Sequence, residues 1–360
     1  MSGYEFIQRP QLTISRSALV DNIAALRAHL PATTLMAPII KANAYGHGRD
    51  IVATAIRDVV DLLVVAEPAD ALELAPLMPG RVLCVGPAFG ETLTELIAAQ
   101  VRVTVTDRRA LAGLTPDARV HLLVDTGLCR LGVSPVEAAL VANEIRGTGA
   151  ALDGLFCHLA GADRGDWDEV EREVEVLRRI PIDGVLRHSG GSSLVVSRPD
   201  LAGELVRPGM SVFGLYQLKE QRALLTLRPA LTLTAPIVEI RHVRQGTPIG
   251  YSGERVARDT AIATLPIGVC HGLGSTWAVG GGWVSIHGQP CALLASPMLD
   301  YMLVDITDID GAAFGDSAII LGGLPSSGGP SIDETAERLG LPREHILAAL
   351  QNSIPRNLVA

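Results

Sequence analysis

The chain has 360 residues, 48% hydrophobic and 19% charged, with a formal net charge of −9. That length accommodates one large barrel plus a second unit and a sizeable core, and the balance carries no disordered signature. Excess negative charge without a basic run speaks against nucleic-acid and anionic-membrane surfaces, which leaves small metabolites as the expected partners.

Met1 to Pro10 has neither the basic start nor the apolar core of a signal peptide, and no apolar run is long enough to span a bilayer. No membrane association and a cytoplasmic location are therefore expected. Cys84, Cys129, Cys157, Cys270 and Cys291 are odd in number, scattered and never in a Cys-x-x-Cys spacing, so free thiols are expected.

From Thr13 to about Leu215, short β-branched runs alternate with amphipathic helical stretches, the pattern of parallel strands with crossover helices. The expected strands are Leu35 to Ile40, Leu62 to Ala66, Arg81 to Val85, Val101 to Thr106, Val120 to Asp125, Leu152 to His158, Gly184 to His188 and Leu205 to Arg207. Eight such runs predict a (β/α)8 barrel. Between them, Asp166 to Ile180 predicts a helix capped by Asp166, with Val170, Val174 and Leu177 on its buried side. After Leu215 the alternation changes. Leu231 to Ala235, Ile237 to His242, Ala261 to Leu265, Trp283 to His287, Tyr301 to Ile306 and Ser317 to Leu321 read as strands separated by Gly, Pro and Asp turns without long helices. The expected fold class is α/β, a barrel over 11–229 followed by a C-terminal, mainly antiparallel β domain over 230–360. Gly280-Gly281-Gly282 and Ser326 to Pro330 read as turns or loops.

Lys41 closes the first apolar run, where Gly46 and Gly48 break the strand pattern before a helix opening near Asp50. By position alone it is a surface-reaching end residue or a reactive amine. Composition favours the amine: the chain has 30 Lys and Arg residues together, of which only Lys41 and Lys219 are lysines. An amine can shed a proton when desolvated and form an imine with a carbonyl, which a guanidinium cannot do.

Lys41-Ala42-Asn43-Ala44-Tyr45-Gly46-His47-Gly48 resembles the alanine racemase family, whose cofactor lysine sits in V-K-A-N-A-Y-G-H-G. The resemblance implies pyridoxal 5'-phosphate held as a Schiff base on Lys41, with Tyr45 bonding its phosphate. Asp125-Thr126-Gly127-Leu128-Cys129-Arg130-Leu131-Gly132 resembles the family's D-T-G-M-G-R-L-G, which implies that Arg130 reaches the cofactor's phenolic oxygen and the substrate carboxylate. A modified lysine that orients this arginine in the family is Leu123 here. His158 falls at the family's S-H-F-A strand end, beneath the cofactor ring, and Ser192 matches the phosphate serine of H-x-A-N-S-A, with Gly191 replacing the asparagine.

Val206-Arg207-Pro208-Gly209 resembles V-R-P-G, which implies that Arg207 points at the pyridine nitrogen and that Gly209 and Met210 offer backbone N–H groups to the phosphate. A guanidinium cannot give up its proton there, so the ring is a weaker electron sink than one facing a carboxylate, which suits reversible proton exchange at Cα. Gly250-Tyr251-Ser252-Gly253 resembles the family's tyrosine segment, so Tyr251 is implied as the second base, facing Lys41 and assisted by a chain through His158 and Arg207. Leu299 takes the substrate-lining position of C-M-D. In the family these second-domain residues enter the partner's barrel, so a homodimer is implied. Two further positions depart from the family: Val269 replaces a gate tyrosine in I-P-I-G-Y, and Glu344 or His345 falls where a phosphate-binding tyrosine is expected. Adjacent Cys270 and His271 lack a third ligand at a suitable spacing, so no metal is expected. The implied function is a pyridoxal phosphate-dependent amino-acid racemase. An aldolase or dehydratase on the same scaffold, and a non-catalytic cofactor-binding protein, are the alternatives.

Overall fold

The computed structural model describes residues 9–251, 253–278, 280–323 and 328–360. Ser252 and part of the 326–330 loop lie outside the described residues. The chain divides into two compact units, one of Ser17–Ala44 with Val52–Arg228, the other of Met1–Arg16, Tyr45–Ile51 and Pro229–Ala360. The opening strand, β1 (Gln11–Ser15), belongs to the second unit and buries Leu12 and Ile14 on alternate positions.

The first unit carries eight short strands: β2 (Leu35–Met36), β3 (Leu63–Val65), β4 (Val82–Pro87), β5 (Arg102–Val105), β6 (Arg119–Leu123), β7 (Ala151–Phe156), β8 (Leu186–His188) and β9 (Leu205–Val206). All fall within or against the apolar runs that predicted them. Strands β3 to β8 form one parallel sheet in sequence order, and β2 pairs with β9 in parallel. Single parallel bridges, Ile39 to Val64 and Gly190 to Val206, join the two sheets at both edges. The ring closes as a (β/α)8 barrel, which leaves no open edge. Ala37, Leu62, Val64, Leu83 and Leu205 form one of its buried clusters. The helix Trp167–Arg179 is capped as expected, with the Asp166 side chain accepting the Glu169 N–H at 3.0 Å. Its buried stripe holds Val170, Val174 and Leu177, and also Glu173.

The second unit is built on strands β10 (Leu231–Pro236), β11 (Glu239–Val243), β12 (Pro248–Ile249), β13 (Glu254–Arg255), β14 (Thr260–Leu265), β15 (Trp283–Ile286), β16 (Gln289–Ala292), β17 (Met302–Asp305), β18 (Ser317–Gly322) and β19 (Arg356–Val359). Its main sheet has the order β16-β15-β18-β10-β1-β19, antiparallel except for the parallel β1–β19 pair. A three-stranded antiparallel sheet, β11-β14-β17, and the β12–β13 pair complete it. Two short helices, Ile332–Leu339 and Arg343–Ala349, follow the last expected strand.

The glycines after Tyr45 are explained within this unit. A Cβ at Gly46, whose φ is +78°, would lie 2.1 Å from the Leu347 carbonyl oxygen, and one at Gly48 would lie 2.8 Å from Cδ of Arg356. Arg356 in turn donates to the carbonyls of Gly46 at 2.9 Å and Ile354 at 2.9 Å. The segment is thus clamped against the C-terminal helix and strand, at Gly46 by a backbone contact that tolerates no side chain and at Gly48 by the Arg356 side chain. Gly46→Ala is expected to destabilise the protein by about 2–4 kcal/mol, from overpacking and from forcing a left-handed alanine. A melting temperature unchanged from the parent would contradict this.

Candidate active site

Lys41 stands at a strand end tied to its neighbours on both sides. Ile39 N–H donates to the Pro208 carbonyl at 2.9 Å and Ile40 N–H to the Val64 carbonyl at 2.8 Å. Four consecutive residues then turn left-handed: φ is 52° at Ala42, 53° at Asn43, 53° at Ala44 and 50° at Tyr45. Each such residue costs about 1–2 kcal/mol, and only asparagine among these types visits the region readily. A bond from Ala44 N–H to the Ile40 carbonyl, 3.0 Å, closes the turn. Strain of this kind accumulates where a side chain must be aimed. Here it ends the strand abruptly and leaves Lys41 half-buried at the carboxyl-end face of the barrel, where such folds carry chemistry.

Arg207 follows β9 and is buried. One terminal nitrogen donates to Nδ1 of His188, and also to the His188 carbonyl at 3.2 Å; the other donates to the Cys157 carbonyl at 2.8 Å. Its guanidinium lies 4.9 Å over the Phe156 ring. None of these partners is anionic, and burial lowers its pKa to about 10, so it remains a cation at neutral pH. The chain from Arg207 expected to pass through His158 instead runs to His188, whose ring stacks on Phe156 at 4.7 Å. His158 remains close enough to feel its neighbours. Enclosure, then Arg207, Arg130 and Lys41, push its imidazole down to about 3. The side chain still presents exposed surface, so the three cations are the firmer cause. Lys41, Arg130 and Arg207 thus lie within electrostatic reach of His158.

Ser192 opens the helix Ser192–Ser197, and its Oγ receives the N–H of Gly209 at 2.9 Å, the N–H of Ser211 at 3.2 Å and the hydroxyl of Ser211 at 3.1 Å. Three donors converge on an oxygen with two lone pairs, a surplus that an incoming phosphate oxygen would satisfy. Met210, between the two backbone donors, is buried. Gly209 is therefore joined by Ser211, the second residue of the short helix Met210–Phe213, which sequence reading passed over. The donor set fits a phosphate, and the buried cationic Arg207 fits a ring nitrogen that keeps a lone pair.

Arg130 lies in the loop after β6. Asp125 Oδ1 accepts the N–H groups of Gly127 at 3.1 Å and Cys129 at 3.0 Å, and Cys129 adopts φ 56°. Leu123, buried, offers no polar atom to the guanidinium. The loop is anchored instead by Glu173, whose carboxylate accepts the Ala160 N–H at 3.0 Å and the Thr126 hydroxyl at 3.5 Å. Burial raises its pKa. This one carboxylate ties the loop carrying Arg130 to the loop after His158.

The remaining expected residues belong to the second unit. Tyr45 is half-buried, and its carbonyl lies 3.0 Å from His47 Nδ1. Tyr251 sits in the β12–β13 connection with 92% of its surface exposed. Val269 and Leu299 are brought together: Val269 N–H donates to the Met298 carbonyl and Cys270 N–H to the Leu299 carbonyl, both at 2.9 Å, with the two side chains 41% and 64% exposed. Glu344 and His345 lie on the Arg343–Ala349 helix, the first half-buried and the second exposed.

The family described as "Alanine racemase, N-terminal domain" matches residues 14–217, and "Alanine racemase, C-terminal domain" matches residues 230–358. The chain is 31% identical to the alanine racemase of Thioalkalivibrio sulfidiphilus, with 94% of this chain and 95% of that protein covered. It is 28% identical to alanine racemase 2 of Caldanaerobacter subterraneus subsp. tengcongensis, over 98% of this chain and 95% of that one. The crystal structure of alanine racemase from D-cycloserine-producing Streptomyces lavendulae superposes with a TM-score of 0.89 at 28% identity, covering 98% of this chain and 97% of its own. The chain belongs to the alanine racemase family and is a pyridoxal 5'-phosphate-dependent amino-acid racemase.

Proposed function

We propose that the protein interconverts L- and D-enantiomers of a small amino acid by two-base proton exchange at Cα, with Lys41 and Tyr251 as the bases. Bound pyridoxal phosphate supplies the electron-withdrawing ring that acidifies the Cα–H of an attached amino acid. By the family resemblance, Arg207 would set a positive charge against the ring nitrogen, and Ser192, Gly209, Met210 and Tyr45 would hold the phosphate. His158 would lie beneath the ring, Arg130 would take the substrate carboxylate, and Leu299 would line the side-chain pocket. The observation that carries this reading is Arg207, a buried cation with neutral partners next to the strand end that holds Lys41. A guanidinium there favours proton exchange over the chemistry of an aldolase or dehydratase, which benefits from a stronger electron sink.

The division into a barrel over 11–229 and a β domain over 230–360 is supported by family matches that end at 217 and resume at 230, while residues 11–16 and Tyr45–Ile51 cluster with the β domain. A homodimer with shared sites suits the exposure of Tyr251, Leu299 and Tyr301 on the second unit. A cytoplasmic location suits five free cysteines, and no helix among the described residues is long and apolar enough to cross a membrane.

Borohydride reduction followed by peptide mapping tests the cofactor assignment. The label is expected on Lys41, and label on Lys219 would overturn the reading. Substrate range follows from Val269, which lacks the ring and hydroxyl of a tyrosine beside Leu299. Side chains larger than methyl should be admitted, with about 1–3 kcal/mol at stake per methylene, so preference shifts more than it becomes absolute. Comparing kcat/KM for alanine, serine and larger amino acids in the parent and in Val269→Tyr checks this. A parent strictly selective for alanine, unchanged by the substitution, refutes it.

A further inference from the structure

Inside the barrel, strands β6 and β8, on either side of β7, bring two imidazoles together. His121 on β6 is in register with Gly154 on β7, and Phe156 on β7 is in register with His188 on β8. A Cβ at Gly154 would lie 2.2 Å from Nδ1 of His121. The absent side chain is therefore the space through which His121 reaches across β7. Its Nδ1 stands 2.8 Å from Nε2 of His188, with the rings edge to face at 71°. On the other side, Nδ1 of His188 meets Arg207.

Valence alone places the protons in this chain. A guanidinium only donates, so Nδ1 of His188 is bare. Burial keeps both imidazoles neutral, His121 being pushed down to about 3. The single proton of His188 is then on Nε2 and is donated to Nδ1 of His121, which leaves the proton of His121 on its own Nε2. That N–H is buried and has no hydrogen-bond partner among the described residues. This imidazole buries one unpaired N–H of its own while accepting the N–H of His188, which no apolar side chain could do, so apolar packing does not explain a histidine here.

We propose that His121 is a positioning residue for racemisation: by accepting the Nε2 proton of His188 it fixes the tautomer whose bare Nδ1 holds Arg207 in place. The inference rests on reading Arg207 as the partner of the cofactor's ring nitrogen. Without His121, the Nε2 proton of His188 is buried without an acceptor, so the tautomer is favoured from the Arg207 side alone, and a share of the rings can move the proton to Nδ1 and turn away from the guanidinium. Arg207 then loses the contact that orients it.

The test uses the holoenzyme and compares His121→Leu with His121→Asn. In the leucine variant kcat is expected to fall about tenfold or more, the scale seen when a group that orients an active-site residue is lost. KM should change little, and the melting temperature should change little, because the buried N–H lost from position 121 is replaced by the Nε2–H of His188 left without an acceptor. Asparagine offers an amide oxygen near the position of Nδ1 and should restore most of kcat. Independently of activity, ¹⁵N NMR of histidine-labelled apoenzyme should show His188 as the single Nε2–H tautomer in the parent and as a mixture in the leucine variant. A leucine variant with parental kcat and one tautomer overturns the proposal. So does a parallel loss of melting temperature and kcat that asparagine does not rescue, which would make His121 a structural residue. If borohydride finds no cofactor on Lys41 of the parent, the functional reading falls and this inference with it. If the parent is loaded and the leucine variant is indifferent, this inference alone falls.

Discussion

Tyr251→Phe is expected to lower racemisation in both directions by about 10²–10⁴-fold, the usual contribution of a positioned general acid or base. The substitution removes one oxygen from a side chain that is 92% exposed, so the fold has no reason to respond. Racemisation takes the α-proton from one face and returns it to the other, and in the proposed two-base exchange Lys41 serves only one of them. The variant should therefore keep its cofactor on Lys41 and still exchange the α-hydrogen of one enantiomer with deuterium from solvent, without inverting it. Initial rates from each pure enantiomer, with deuterium incorporation followed by mass spectrometry, measure both effects. A variant that racemises at the parental rate removes Tyr251 from the chemistry. One that loses deuterium exchange from both enantiomers equally points to a damaged site instead of a missing base.

The barrel was legible because each parallel strand, covered on both faces, must be apolar along its length, so the eight runs stood out between amphipathic helices. The scarcity of lysine made Lys41 conspicuous for a chemical reason, and the Asp166 cap was readable from its spacing. What periodicity cannot carry is pairing between distant segments. Strand β1 finds β19 more than three hundred residues later, and Tyr45–Ile51 sorts with the second unit although it sits between barrel elements. Nothing in the identities of Ala42 and Ala44 announces a left-handed turn, since alanine has no preference for one. The partner of Arg207 was misplaced for a similar reason. His188 ends β8 while His158 lies two residues past β7, and choosing between them requires the register of β7 against β8. One signal was present and unread: position 173 lies on the same helical stripe as Val170, Val174 and Leu177, and a glutamate there marks a buried carboxylate with backbone partners.

Mixing two inactive variants, Lys41→Ala and Tyr251→Phe, is expected to restore activity that neither has alone. If each site is completed by the other subunit, Lys41 of one chain works with the tyrosine of its partner. A mixed dimer then holds one doubly damaged site and one whose two bases are both intact. Random exchange between two subunit types makes half the dimers mixed, with one good site in two, so about a quarter of the parental activity should return. The recovery should grow with the time allowed for exchange and vanish when the variants are mixed under conditions that block dissociation. If the two bases of a site came from the same chain, the mixed dimer would contain no complete pair, and activity would stay at the sum of the separate variants. Lys41→Ala shortens a half-buried side chain and Tyr251→Phe trims an exposed one, so folding should survive in each, and the outcome reports on the origin of the two bases. The same arithmetic accounts for the exposed Tyr251, Val269 and Leu299. Apolar surface on one unit is tolerable when a partner subunit covers it, and a monomer by light scattering at working concentration would leave that surface, and the shared site, without explanation.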